Sequence, residues 1–357
     1  MLQSRLAYLM SPTTRHMDQH QFDAALPQWQ SLPLSRECNA LLLGNGASRA
    51  IWRNFGYDSL FERAQKVRNR PLGQSDLALF KHLGTENFQQ VLSALNTTTR
   101  LNAALAISST APLNRYYAIK EALIHAMRSV HIPWRLVAPE TLAHLNQALR
   151  HYPTVFSSNY DLLCHWAMLQ APEGFDDLTD DDGGFDVQRT RSQGTRLLYL
   201  HGGLQLVRDA DGSTRRRTAV DSALLDGFAI NTPGDVPLFV AEGASADKLR
   251  TIRDSDYLSW CHGQLAQHRG SLCLFGHNLN AQDQHIIDAL LAAPIERLAI
   301  SIFPLSDAWV ISQKRHYSAL LRDKAVLVEF FDATSHPLGL PELNVPVPKE
   351  RPARVRR

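Results

Sequence analysis

The chain has 357 residues, 44% hydrophobic and 20% charged, with 37 basic and 35 acidic residues and a formal net charge of +2. A chain of this length hides roughly three quarters of its unfolded surface, enough for one large α/β domain or two smaller ones. The charge balance excludes a general polyanion binder, the mean hydropathy of −0.23 fits a soluble protein, and no run approaches the ~18–20 apolar residues of a membrane span.

From the N-terminus, the apolar patch Leu6 to Met10 is too short for a secretory core, so a cytoplasmic protein with no membrane partner and no strong nucleic-acid signal is expected. Residues 1–37 form a proline-punctuated extension in which Phe22, Leu26 and Trp29 predict a helix over 21–32. Residues 39–43 predict a short buried strand stopped by Gly44-Asn45-Gly46, after which the pattern turns helical. Residues 87–150 carry few turn signals and predict a helical insertion, with Ile119, Leu123, Met127 and Val130 as its core-facing stripe.

Beyond Pro153 the pattern becomes strand, loop, helix. Strands are expected over 154–157, 196–200, 237–240, 272–275, 298–302 and 326–330, with helices over 246–267, 282–291 and 308–321. Continuous apolar runs are typical of strands buried on both faces, and their alternation with helices predicts a Rossmann-like doubly wound parallel sheet of about six strands. Residues 173–194, with the acidic run Asp180 to Asp182, predict an exposed loop whose spacing does not match a calcium site. Residues 204–218 predict a hairpin turning at Asp211-Gly212, followed by Arg215-Arg216-Arg217 as solvated surface. The domain is expected to end near 335, leaving 336–357 as a mobile basic tail.

Four clusters carry chemistry, each at the expected end of a strand. Gly44-Asn45-Gly46-Ala47-Ser48 combines a glycine turn with a helix start, which suits a pyrophosphate, although Arg49 stands where the dinucleotide fingerprint has its third glycine. Ser158-Asn159-Tyr160-Asp161 supplies a carboxamide able to fix a ribose hydroxyl or a water, or simply to cap a helix. His201-Gly202-Gly203 offers a base titrating near neutral pH with room beside it. Gly276-His277-Asn278-Leu279, followed by Asp283, suits an adenosine ribose or an ordinary loop before an N-cap at Asn280.

In this order the four clusters resemble the NAD-binding motifs of sirtuins, over roughly residues 38–331. The resemblance implies that Asn159 and His201 are the catalytic pair and that Gly44, Asn45, Gly46, Ala47 and Ser48 hold the pyrophosphate. It also implies that Asp161 supports the nicotinamide ribose and that Gly276 and Asn278 serve the adenosine side; His277 stays unassigned. Two departures matter. The stretch Phe55 to Leu60 lacks the deacylases' proline-aspartate-phenylalanine-arginine element, and no cysteine lies between Gly202 and Ala241, where deacylases carry zinc pairs. The hairpin stands in place of that zinc module.

The four cysteines, Cys38, Cys164, Cys261 and Cys273, form no C-x-x-C pair, so no metal is expected and the thiols suit the core. The chain is therefore most similar to zinc-less sirtuin-like domains of bacterial antiphage defence proteins. That similarity implies hydrolysis of NAD to nicotinamide and ADP-ribose by a regulated effector, held silent by homo-oligomerisation or a partner defence protein. The alternatives are an NAD-dependent protein deacylase and a nucleotide-binding module without turnover.

Overall fold

The computed structural model describes residues 22–56, 59–180, 182–189, 194–208, 213–217, 224, 236–240 and 244–348. Its centre is a seven-stranded parallel sheet with β1 (Ala40–Leu43), β2 (Thr154–Ser157), β3 (Phe175–Asp176), β4 (Thr195–Tyr199), β8 (Gly270–Phe275), β9 (Ile295–Ile302) and β10 (Leu327–Asp332), in the order β10-β9-β8-β1-β2-β4-β3. The fold is α/β and doubly wound, as expected. β1 and β2 are buried along their whole length because helices cover both faces of the sheet, which is why their sequences show no alternation.

The chain builds outward from β1 in two directions. β2 and β4 lie on one side, and β8, β9 and β10 on the other. The order reverses between β1 and β8, and doubly wound sheets open their ligand crevice at such a point. The register aligns the strand ends there: Leu43 pairs with both Ser157 and Phe275, and Ser157 pairs with Tyr199. Four loops far apart in sequence thus emerge side by side.

Between β1 and β2 the chain is helical. The expected insertion at 87–150 resolves into helices Phe88–Ala104, Thr110–Val130 and Pro139–Arg150, preceded by Leu60–Lys66 and Gln74–Leu83. Ile119, Leu123, Met127 and Val130 are all buried. After β4 the chain enters a three-stranded antiparallel sheet of β5 (Gly202–Arg208), β6 (Thr214–Arg216) and β7 (Pro237–Phe239). β5 and β6 are the arms of the expected hairpin; its turn at Asp211-Gly212 lies outside the described residues.

Several expectations are corrected. The strand at 237–240 belongs to this small sheet, because it pairs with β5 and has no partner in the parallel one. The seventh parallel strand is the two-residue β3, hidden in the expected loop at 173–194 and too short for a periodic signal. The helix expected over 21–32 is only a 3-10 turn at Trp29–Ser31. Trp29 is buried against Phe331 and His336 instead of lying on a helix face. The expected helix 246–267 breaks at Asp254-Ser255 into Ser245–Arg253 and Asp256–Ala266, the second capped by the Ser255 hydroxyl.

Arg216 is ion-paired with Asp177, so the basic run is not simply solvated. The residues from 336, expected as tail, continue the fold: His336, Leu338 and Leu343 are buried, and Val345 donates to the Ile51 carbonyl. Among the described residues no helix is long and apolar enough to cross a membrane.

Candidate functional site

A cavity of about 360 Å³ opens at the switch point, within the usual range for small-ligand sites. It is lined from all four clusters: Asn45 and Gly46 after β1, Ser158 to Asp161 after β2, His201 after β4, and Gly276 to Asn278 after β8. Of the expected site residues, Asn45, Gly46, Asn159, Asp161, His201, Gly276 and Asn278 line it. Gly44, Ala47 and Ser48 do not, and stand behind the first turn.

The glycines explain how the loops come together. Gly46 N–H donates to the Gly276 carbonyl at 2.8 Å, and Gly44 N–H to the Phe275 carbonyl at 2.9 Å. A Cβ on Gly46 would lie 2.7 Å from Gly276 Cα, and one on Gly276 (φ +69°) would lie 2.5 Å from Ala47 N. The β1 and β8 loops are thus in backbone contact. Gly46 spends its N–H on that contact, so it is a packing glycine before it is a phosphate-binding one. Beside this turn the exposed Arg49 lines the cavity, with no carboxylate partner among the described residues.

Ser48 and Gly44 serve the site from behind. The Asn159 side-chain amide donates to the Gly44 carbonyl at 2.9 Å and to Ser48 Oγ at 3.0 Å. Ser48 Oγ in turn donates to Asp161 Oδ2 at 2.5 Å, while Asp161 Oδ1 accepts from Leu163 N–H at 2.9 Å. A carbonyl only accepts, so the Asn159 nitrogen must face Gly44 and its Oδ1 is left for the cavity. The helix-cap reading of Asn159 is therefore corrected: its side chain bridges β2 to β1 instead of closing a helix.

His201 sits where the parallel sheet hands over to the antiparallel one. Gly202 takes φ +69°, a left-handed turn that lets β5 start immediately, and the His201 carbonyl accepts from Val240 N–H at 2.8 Å. The ring is buried, and its Nε2 lies 2.7 Å from His285 Nε2. Burial first, then the nearby Lys248, holds the His201 pKa well below the usual histidine value, and burial lowers His285 to about 4. Burial thus favours the uncharged form of both rings.

Sequence reasoning missed one side of the cavity. Lys248 donates to Asp283 Oδ1 at 2.9 Å, and both line the cavity with His277. Burial opposes ionisation of Asp283, but His201, Lys248 and His277 together outweigh it and keep the carboxyl below its ordinary pKa. His201, Asp283 and His285 bring donor atoms within 4.8 Å of one another, a grouping that cysteine counting had no way to find. The spacing Asp283-x-His285 just after the Gly276 loop was the available signal. Lys248, inside an ordinary charged helix, offered none.

Residues 41–338 match a protein family described as "Domain of unknown function (DUF4917)". The chain belongs to the DUF4917 family. The family's span begins in β1 and ends just after Pro337, so it takes in all four clusters and the packed segment at His336. No curated protein matches the chain. For this DUF4917 protein the geometry of the cavity is accordingly the main guide to chemistry.

Proposed function

We propose that the cavity binds NAD and cleaves the bond between nicotinamide and ribose. The observation that carries this reading is that Asn159 and His201, arriving from β2 and β4, line one cavity with the turns at Gly46 and Gly276. A second cleft of about 160 Å³ shares Gly46, Gly276, His277 and Asn278 with it and is walled by Phe275, Phe303 and Trp309. A polar chamber joined to an apolar, aromatic-walled cleft suits the two unlike halves of a dinucleotide, with the base in the cleft.

In the reaction, the C1′–N bond breaks and its electron pair neutralises the pyridinium nitrogen, so the leaving group needs no proton. The ribose becomes an oxocarbenium-like cation. Water adds to C1′, and its proton goes to His201 and then to solvent. Asn159 Oδ1 orients that water or a ribose hydroxyl, held by the Gly44 and Ser48 contacts. The Asp161 carboxylate offsets the developing positive charge, and Arg49 meets the diphosphate. The resemblance to zinc-less sirtuin-like domains extends the reading to regulated NAD depletion.

The test is to incubate purified protein with NAD and follow nicotinamide release, with and without an acylated peptide. Release without peptide supports hydrolysis. Release only with peptide means a deacylase, and binding without release means a nucleotide-binding module.

A further inference from the structure

We infer that His285 is a positioning residue that fixes the proton of His201 on Nε2, so that His201 meets the substrate through an unprotonated Nδ1. This rests on the reading of His201 as the base.

Two imidazole nitrogens 2.7 Å apart share one proton: one donates and the other accepts. The rings are tilted by 35° with centroids 5.0 Å apart, and both are buried, so water does not compete for the bond. On the far side of His285, Nδ1 lies 2.9 Å from Ser245 Oγ, which also accepts the His285 backbone N–H at 2.8 Å. The His285 carbonyl accepts from His262 at 2.9 Å. The ring is therefore held from its backbone and from both nitrogens.

Ser245 Oγ accepts the His285 backbone N–H and can either accept the Nδ1–H as well or donate its own hydrogen to a bare Nδ1. In the first arrangement His285 carries its proton on Nδ1 and offers a lone pair at Nε2 to the Nε2–H of His201. Of the two proton arrangements that satisfy this chain, only this one leaves a lone pair on His201 Nδ1. When Nδ1 takes the water proton, the imidazolium already has its other N–H paired. Asp283, from the turn at Ala281–Asp283, stabilises that cation; Lys248, from helix Ser245–Arg253, and His277, from the β8 loop, face it as well. A partner that fixes the tautomer of a catalytic histidine is a recurrent device.

The same donors invite a metal, but the details favour the hydrogen bond. Asp283 Oδ1 is taken by Lys248. With metal–nitrogen bonds of about 2.0–2.1 Å, two histidines on a tetrahedral ion sit about 3.3 Å apart, wider than the two Nε2 atoms here.

The test is a long-range 1H–15N spectrum of wild-type protein labelled with 15N-histidine at pH 7.5, assigned with His201→Gln and His285→Leu. Expected are a protonated Nε2 and bare Nδ1 for His201, with the reverse for His285. The opposite pattern overturns the inference, as does stoichiometric binding of added Zn²⁺ that shifts both rings. This readout needs no turnover, so it stands apart from whether NAD is the substrate.

With NAD cleavage in hand, His285→Leu lowers kcat at least about tenfold with KM nearly unchanged. His285→Gln, whose side-chain oxygen can accept the Nε2–H, recovers most of it. A folded His285→Leu protein with wild-type kcat overturns the positioning role.

Discussion

The Asn159 side-chain amide donates to the Gly44 carbonyl at 2.9 Å, tying the second cluster to the first across 115 positions of sequence. The same nitrogen donates to Ser48 Oγ, which is itself bound to Asp161. One carboxamide thus joins β1 to β2 and presents its oxygen to the cavity, so structure and chemistry are not separable at this residue. Asn159→Ala leaves the Ser48–Asp161 pair intact but strips a partner from the Gly44 carbonyl. Asn159→Asp instead places a carboxylate against that carbonyl. The expected stability losses, read from urea unfolding, are about 1–3 kcal/mol with Asp the larger, because a buried acceptor facing an acceptor is worse than one that keeps only its bond from Ala47 N–H. Nicotinamide release falls at least about a hundredfold in both if the proposed reaction is correct.

Gly46 gives a second outcome, different from what the motif alone suggests. Read as a phosphate-binding glycine, its replacement by a bulky residue would leave the fold intact and abolish binding. The 2.7 Å approach of its would-be Cβ to Gly276 Cα means that the two loops must separate first. Gly46→Val is expected to lower stability by at least about 1–3 kcal/mol, as overpacking does, and to lower NAD affinity as a consequence. Gly276→Ala acts alike, with the strain of a left-handed φ added. A normal urea midpoint with lost affinity would restore the phosphate-binding reading.

How much of this was legible beforehand follows from where the information sits. The strands β1, β2, β4, β8, β9 and β10 announce themselves because each contains a short, nearly continuous apolar run, as in Ala40–Leu43 and Leu272–Phe275. Their loops announce the cavity because glycine and polar residues stop each apolar run. β7 misled because pairing partners are not written in an apolar tripeptide: Pro237–Phe239 suits either sheet. Trp29 misled because three aromatic and apolar residues at helical spacing also fit an extended chain laid against Phe331 and His336. Lys248 and His285 were obscure for another reason, and Asp283 was visible only as a polar residue after the Gly276 loop. They come from two helices and a turn, and their relation exists only after those elements pack on the sheet.

Arg49 is expected to affect binding without affecting the fold. It is exposed, lines the cavity, and has no carboxylate partner among the described residues. Removing it strands no buried group. Arg49→Gln is expected to leave the thermal midpoint within the range of a surface substitution and to raise the Kd for NAD about tenfold or more, the equivalent of a charge-assisted contact to phosphate. Calorimetric titration with NAD and with nicotinamide mononucleotide separates the outcomes. A loss confined to NAD places Arg49 on the half of the site beyond the first phosphate, and an unchanged Kd for both removes it from the site.

Histidines buried as neutral rings give the protein an acid-sensitive stability that does not depend on catalysis. Burial holds His336 and His165 at about 3, far below the ordinary value near 6.5. His336 is locked in that state, since its Nδ1 accepts from Leu338 N–H at 3.1 Å, its ring stacks on Phe275, and Tyr152 binds Nε2. In the unfolded chain these rings bind protons as pH falls through 6.5, whereas in the native state they stay neutral until near pH 3. The unfolded state therefore holds more protons throughout that window, and stability is full above about pH 6.5 and declines as pH falls below it. Each fully withheld proton contributes a slope of about 1.4 kcal/mol per pH unit. Urea unfolding between pH 7 and 4.5 should show the decline. His336→Asn, which keeps an acceptor for Leu338 N–H but does not titrate, should start less stable at pH 7 and lose less on acidification, with a slope shallower by about one proton. Equal slopes for the two proteins would mean that His336 titrates normally in the native state and is not held neutral by its surroundings.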